Sequence, residues 1–391
     1  MFGNIQQKKL EKILSLVDFE ALAKKRLPPQ LFAYVSGGCE DGQSMRANRN
    51  IFASYEFNPR VLVDISKRST SIELFGKTYS SPIGLAPMGI SALTSYRGDI
   101  VLAKAAQDAN VPAIMSGSSL VKMEDVAAAA PDTWFQAYLP GDADEIRSLI
   151  ERVKSAGFKT LVITVDVACA ANRENNVRAG FSTPLRPGIK LGWDGITHPR
   201  WLFGVLFKTL INHGMPHFEN NYARRGAPII SKQVERDFSD RGHLTWKHIE
   251  VIRQQWTGPI ILKGILNPLD AQQAQKIGID GLIVSNHGGR QLDGSAAPLR
   301  VLPSVVEVFK SGPVMLDGGI YRGSDVLKAM ALGASCVFVG RPFNYAACVA
   351  GYDGVAHGID LLKKEVWRNM AFLGIQTLAD IGPDYIIRTN L

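Results

Sequence analysis

Residues 285–293 of this 391-residue chain read SNHGGRQLD. A histidine, two glycines and an arginine follow directly on the apolar run GLIV (281–284). Imidazole exchanges protons near neutral pH, and a guanidinium is a permanent cation with a flat fork of donors. Together at the end of a buried strand they equip a site to move a proton beside an anion. Other runs end similarly. Gln136 with Tyr138, Thr164 with Asp166, and Ser285 with His287 are polar pairs two residues apart, a spacing that puts both members on one face of a strand. Lys263, Ser116 and Asp317 close three further apolar runs. One such residue alone would read as a satisfied core polar group. So many at matching strand ends point to one shared rim.

A second feature lies in DGGIYRGSD (317–325) and VGRPF (339–343). Glycines let backbone N–H groups close on an anion, and a following helix N-terminus adds its dipole. Arg341 can add a fork of donors. Ordinary strand-to-helix turns are the competing reading. A phosphate cradle beside a catalytic cluster indicates a phosphorylated cofactor or substrate. Other motifs fail. HGMPH sets His213 and His217 four apart, but the intervening glycine and proline spoil the helix a metal pair needs; no metal site is expected. FGKTYS holds a GKT, yet Ser71 stands where a P-loop needs glycine. Neither G-x-G-x-x-G nor G-x-S-x-G occurs, which disfavours a nicotinamide fold and the commonest serine-hydrolase elbow.

These residues need a scaffold, and the chain supplies a repeating one. Strand-like runs occur at 82–88, 112–117, 133–139, 160–167, 259–264, 281–287, 313–319 and 336–341. Several are continuously apolar at their centres, as in parallel strands buried on both faces. Helical signals alternate with them. DADEIRSLIERVKSAG carries Ile146, Leu149, Ile150 and Val153 at helical spacing and stops at Gly157. NPLDAQQAQKIG has Asn267 as N-cap, Pro268 in the first turn and Gly278 past the end. GSDVLKAMALG repeats the pattern with Ser324 and Gly333. Eight such pairs predict a (β/α)8 TIM barrel, whose chemistry sits at the C-terminal ends of the strands. An open doubly wound sheet is the runner-up; it usually carries a nucleotide loop after its first strand, where this chain has MGIS. Residues 1–81 form a helical preface expected to pack on the barrel of residues 82–391. Residues 169–243 interrupt that barrel after its fourth strand.

With 46% hydrophobic residues the chain can bury a large core. The net charge of +8 fits acidic ligands or an anionic membrane surface. Because Lys and Arg are dispersed, nucleic acid is not expected as a partner. The four cysteines, Cys39, Cys169, Cys336 and Cys348, form no C-x-x-C, and Cys336 and Cys348 lie in segments that read as buried. A reducing, cytoplasmic setting follows. The N-terminus lacks a signal-peptide pattern, and no run approaches the ~18 apolar residues of a spanning helix.

SNHGGRQLD, ITVD, FQAY, LKGI and DGGIYRGSDVLKAMALGASCVFVGRP together resemble the FMN-dependent L-2-hydroxy-acid oxidases and dehydrogenases. That family includes glycolate oxidase, L-lactate dehydrogenase and mandelate dehydrogenase. The resemblance runs from about residue 15 to 385 and is weak only within 182–243. It implies FMN as cofactor and oxidation of a lactate- or mandelate-like L-2-hydroxy acid to the 2-oxo acid. His287 resembles the base, and Asp166 the carboxylate that stabilises its charged form. Arg290 resembles the grip on the substrate carboxylate, with Arg173 (in NREN) as second cation and Tyr34 (in FAYVSGG) as hydroxyl donor. Tyr138 resembles the phenol beside the substrate hydroxyl. Lys263 matches the cation near the flavin N1–C2 oxygen. Ser116, Gln136 and Thr164, with backbone groups of Pro87, Met88 and Gly89, match flavin-ring contacts, and Ser285 assists there. Asp317, Gly318, Gly319, Gly340 and Arg341 match ribityl and phosphate contacts.

Where relatives often carry arginine after DGGI this chain has Tyr321, then Arg322. Either Arg322 reaches the phosphate from a shifted position, or Arg341 and backbone amides suffice. Gly89 stands where many oxidases carry alanine, and Ser118 where some relatives carry tryptophan. A dehydrogenase with a quinone or other respiratory acceptor is the expectation; an O2-using oxidase that makes hydrogen peroxide is the alternative. The 169–243 insertion resembles the region by which membrane-attached members dock, with Trp193, Trp201, Phe203 and Phe207 entering the interface and Arg200, Lys208, Arg224 and Arg225 facing lipid phosphates. A mobile lid over the site is the other reading. The resemblance also implies a homotetramer, held peripherally on the inner face of the cell membrane if the insertion docks there.

Overall fold

A computed structural model describes residues 10–182, 185–186, 188–231 and 242–389. Ahead of the barrel come β1 (Tyr55–Phe57) and a hairpin of β2 (Ile72–Leu74) and β3 (Lys77–Tyr79). Eight strands follow: β4 (Ile83–Leu85), β5 (Ile114–Ser116), β6 (Trp134–Ala137), β7 (Leu161–Thr164), β8 (Ile260–Ile265), β9 (Gly281–Val284), β10 (Val314–Asp317) and β11 (Val337–Val339). They form one parallel sheet in the order β4-β11-β10-β9-β8-β7-β6-β5. A parallel bridge from Leu85 to Ala113 joins the two ends, so the sheet closes into the (β/α)8 barrel. The last strand, β12 (Ile386–Arg388), pairs antiparallel with β1.

Apolar residues on both faces of each strand build two cores. The inner one fills the barrel with Ile114, Trp134, Val162, Ile261, Ile283, Met315 and Phe338. Leu74 and Tyr79 of the β2–β3 hairpin join it, and Phe75 packs edge-on against Trp134, ring centres 5.6 Å apart. The outer core lies between strands and helices. Ile146, Leu149, Ile150 and Val153 of helix Ala143–Ser155 are buried there, and Asp142 caps that helix by accepting the N–H groups of Asp144 and Glu145. Asn267 likewise accepts the Leu269 N–H at 2.9 Å. The Ser324 cap is not realised. Its helix begins at Gly323, and the Asp325 carboxylate accepts the N–H groups of Tyr321 and Arg322 at 2.9 Å each. A carboxylate is a stronger acceptor than a hydroxyl at a helix N-terminus.

In the N-terminal region, helices Asp18–Arg26, Pro29–Ser36 and Gln43–Asn50 lie against the barrel, with Leu16, Phe19 and Leu27 buried in the outer core. The insertion between β7 and β8 is anchored by side chains. Asn220, fully buried, accepts the Met123 N–H and donates to the Val121 carbonyl, both at 2.8 Å. The Trp201 indole donates to the Leu93 carbonyl at 2.7 Å. Outward, the insertion exposes Ile189, Trp193, Ile196, Phe203 and Ile211. No helix among the described residues is long and apolar enough to cross a membrane. Cys39, Cys336 and Cys348 are buried, Cys169 is exposed, and all four are free thiols.

Candidate active site

β9 ends at Val284, and His287 follows in a turn with φ +58°. That left-handed conformation is uncommon outside glycine, although histidine is among the residues that adopt it. The turn is tied down on both sides. The Ser285 hydroxyl oxygen accepts the His287 N–H at 2.9 Å and the Lys263 ammonium at 3.1 Å. Asn286 donates to Asn48 Oδ1 at 2.8 Å and accepts from Asn48 Nδ2 at 2.6 Å.

The ring itself is held by its two nitrogens. Nδ1 lies 3.0 Å from Asp166 Oδ1, and the Tyr138 hydroxyl lies 3.4 Å from Nε2. A carboxylate only accepts, so Nδ1 carries the hydrogen and Nε2 presents its lone pair. Burial lowers the His287 pKa below the ordinary histidine value, although Asp166 pulls it upward. That shift favours the neutral ring. For Asp166, burial opposes ionisation, but the attraction of His287 and Lys263 outweighs it and holds the carboxyl below its usual range.

Three cations approach this pair. Arg290 donates to the Gly37 carbonyl at 2.8 Å, and its guanidinium sits 5.0 Å from the centre of the Tyr34 ring. Arg173 donates to the Arg290 carbonyl at 3.2 Å and to Gln291 Oε1 at 2.7 Å. Arg341 donates to Val35, Gly37 and Gly288 carbonyls at 3.1, 2.8 and 3.0 Å. Among the described residues no carboxylate pairs with any of the three. Burial, then the proximity of Arg173, press the Arg290 pKa down from the usual arginine value. Half-buried cations without counter-ions form a receptor for an anionic ligand.

These groups border a cavity of about 650 Å³ at the C-terminal ends of the strands. Its wall includes Tyr34, Pro87, Met88, Gly89, Tyr138, Thr164, Arg173, Lys263, His287 and Arg290, and on another side Asp317, Gly318, Gly319, Gly340 and Arg341. Asp166, Ser116, Gln136 and Ser285 lie one layer behind. Ser116 donates to Gln136 Oε1 at 3.2 Å, across the β5–β6 register. Lys263 and Asp317 form an ion pair at 2.9 Å, with side chains only 4% and 8% exposed. Burial pulls the lysine pKa down, but Asp317 and Asp166 more than restore it. Four buried polar atoms of these site residues have no protein partner: Gln136 Nε2, Thr164 Oγ1, Asp166 Oδ2 and Asp317 Oδ1.

The expected anion cradle is only partly open. Tyr321 and Arg322 N–H groups bond to Asp325, the Gly323 N–H donates to Glu365 at 2.6 Å, and Arg322 pairs with Glu365 at 3.0 Å. That helix end and Arg322 are thus already satisfied. Arg341, at the start of helix Arg341–Leu373, remains on the cavity wall with Gly318 and Gly319. Gly319 is required for another reason as well: a Cβ there would stand 1.9 Å from the Asn48 carbonyl oxygen. The residues that sequence reading missed are Asn48 and Asn286. Asn286 sits inside the SNHGG run and could have been weighed; Asn48, in the polar stretch RANRN, carries no local signal.

Comparison with known proteins bears on what fills the cavity. The family model described as FMN-dependent dehydrogenase matches residues 23–388. An L-lactate dehydrogenase of Ectopseudomonas mendocina is 38% identical over 383 residues, covering 96% of this chain and 99% of its own. An (S)-mandelate dehydrogenase of Pseudomonas putida is 34% identical, covering 96% and 94%. Among solved structures, the monotopic membrane protein (S)-mandelate dehydrogenase superposes with a TM-score of 0.87 at 34% identity, covering 96% and 99% of the two chains. A mandelate oxidase crystallised with (S)-2-phenylpropionate gives 0.79 at 32% identity, covering 96% and 98%.

Proposed function

The chain belongs to the FMN-dependent dehydrogenase family, and on that premise we propose how its own residues oxidise an L-2-hydroxy acid to the 2-oxo acid. The residues fit the cofactor. The unpartnered Gln136 Nε2 and Thr164 Oγ1 suit the polar edge of a planar ring, and Lys263 stands beside them as a buried cation. Arg341, Gly318 and Gly319 would hold the ribityl phosphate, with Asp317 Oδ1 left to accept a ribityl hydroxyl. Bound FMN supplies the two-electron acceptor.

Arg290 and Arg173 hold the substrate carboxylate, with the Tyr34 hydroxyl as a further donor. Tyr138 orients the substrate hydroxyl towards His287. Nε2 of His287 takes a proton from the substrate, and Asp166 stabilises the resulting imidazolium across the 3.0 Å contact. Ser285 fixes the distance between the base and Lys263. The observation that carries this reading is the His287–Asp166 pair on a cavity shared with three half-buried arginines that have no carboxylate partner among the described residues. The test is anaerobic mixing of FMN-loaded protein with a panel of L-2-hydroxy acids. Rapid bleaching of the flavin band is expected; a flavin that stays oxidised with every acid refutes the assignment.

For the acceptor we propose a membrane quinone, and for the insertion a peripheral docking role on the inner face of the cell membrane. Exposed Trp193, Phe203, Phe207 and Ile211 support it, as does the relative described as monotopic. Two of the expected docking features change. Trp201 is buried and bonded to Leu93. Arg224 and Arg225 face Glu145 and Glu219, which leaves Arg200 and Lys208 for lipid phosphates. Residues 82–391 form the FMN-binding unit in this reading, and residues 1–81 support it by supplying Tyr34. The assembly is a homotetramer, which light scattering would check. Fast reoxidation of the reduced protein by O2 would instead favour the oxidase.

A further inference from the structure

One side of the cavity has no part in the chemistry above. Beyond the Tyr34 ring its wall turns apolar: Leu93, Phe181, Leu185, Phe218 and Ile229 line it. Four of these are buried below 8% exposure, whereas Leu185 is half-buried. Phe181 lies against Tyr34 with ring centres 4.8 Å apart, so this chamber starts where the substrate-carboxylate site ends. Gly89 packs close to this boundary: a Cβ there would meet Ser118 Cβ at 3.2 Å and the Tyr34 hydroxyl at 3.3 Å. Val177, 77% exposed, also lines the cavity, so the chamber reaches the surface there.

Except for Leu93, every one of the apolar wall residues belongs to the insertion. Leu93 is tied to it through the Trp201 indole, and Trp201 leads directly into the segment that exposes Phe203, Phe207 and Ile211. The apolar wall of the cavity and the apolar outer face of the insertion are therefore two sides of one structural unit. An apolar ring arriving from a lipid phase fits such a chamber.

We infer that this chamber binds the head group of a lipid-soluble quinone, the planar ring stacking among Phe181, Leu185 and Phe218 with its tail leaving past Val177. The inference rests on the quinone reading of the acceptor. The overall exchange is balanced: the reduced flavin gives two electrons and two protons, the two quinone carbonyls become hydroxyls, and the flavin returns to its oxidised form.

The test uses FMN-loaded protein and decylubiquinone. Binding is measured by equilibrium dialysis, alongside the anaerobic rate of flavin reduction by lactate and by mandelate. Leu185→Trp fills the chamber and should weaken quinone binding, and raise the quinone KM, tenfold or more while both reduction rates stay at wild-type values. Leu185→Ala, which removes contact without crowding, should weaken binding severalfold and guards against a misfolded tryptophan variant. Unchanged quinone binding in both variants overturns the inference. So does slower reduction by mandelate alone, which would assign the chamber to the substrate's side chain. Failure of the wild-type protein to bind any quinone overturns the acceptor reading itself, and is told apart because it precedes any substitution.

Discussion

Asn48 and Asn286 clasp each other through two hydrogen bonds of 2.6 and 2.8 Å, both side chains shut off from water. They join helix Gln43–Asn50 to the turn that bears His287. Asn286 also accepts the Gly289 N–H at 3.0 Å and donates to the Ala296 carbonyl at 3.2 Å. Asn48→Ala leaves buried polar groups unpaired, at a cost of about 1–3 kcal/mol. Urea unfolding should report that loss, with a lower kcat as the ring loses its fixed place. Wild-type values of both would contradict the role.

His287→Asn keeps a side chain that tolerates the left-handed backbone and removes the base. Turnover should fall by about 10²–10⁴-fold or more, the range of a general base, with FMN content unchanged by absorbance. Turnover near wild type would remove His287 from the mechanism.

The pH profile has a definite sign. A base must be neutral to accept, and burial sets the His287 pKa below its ordinary value. The acid limb of kcat/KM should therefore lie on the acid side of an ordinary histidine, with the rate level from there through neutral pH. Asp166→Asn removes the charge that raises this pKa, so its limb should move to still lower pH while the plateau drops. A limb shifted to higher pH would reverse the electrostatic assignment.

Arg290→Lys tests the carboxylate grip. One ammonium cannot reproduce a two-pronged contact. Losing a charge-assisted bond of about 1.5–3 kcal/mol should raise KM roughly 10- to 100-fold. Unchanged kinetics would place the carboxylate elsewhere.

Much of this was legible because strand runs are short, apolar and evenly spaced, which let eight strands be placed to within a few residues. The period-two argument holds for Gln136 and Thr164, which lie inside β6 and β7. It does not hold for Asp166 and His287, which lie beyond the ends of β7 and β9; His287 turns inward through a positive φ that no alternation foretells. Their pairing was carried by family resemblance, not by periodicity. Asn48 was invisible because its partner is 238 positions away. The absent Ser324 cap and the filled part of the anion cradle have one cause that short motifs do not display: Asp325 and Glu365 take the backbone donors there. Trp201 looked like a membrane anchor because composition cannot tell a tryptophan facing lipid from one bonded to the Leu93 carbonyl.

The twist of the chain at 287 screens mutations before chemistry is consulted. A side chain branched at Cβ is turned away by the carbonyl next to it. Glycine and asparagine are admitted but arrive without a ring. Histidine satisfies local geometry and proton traffic together, and the residues that share its tolerance for this backbone, asparagine and aspartate, would bring no imidazole.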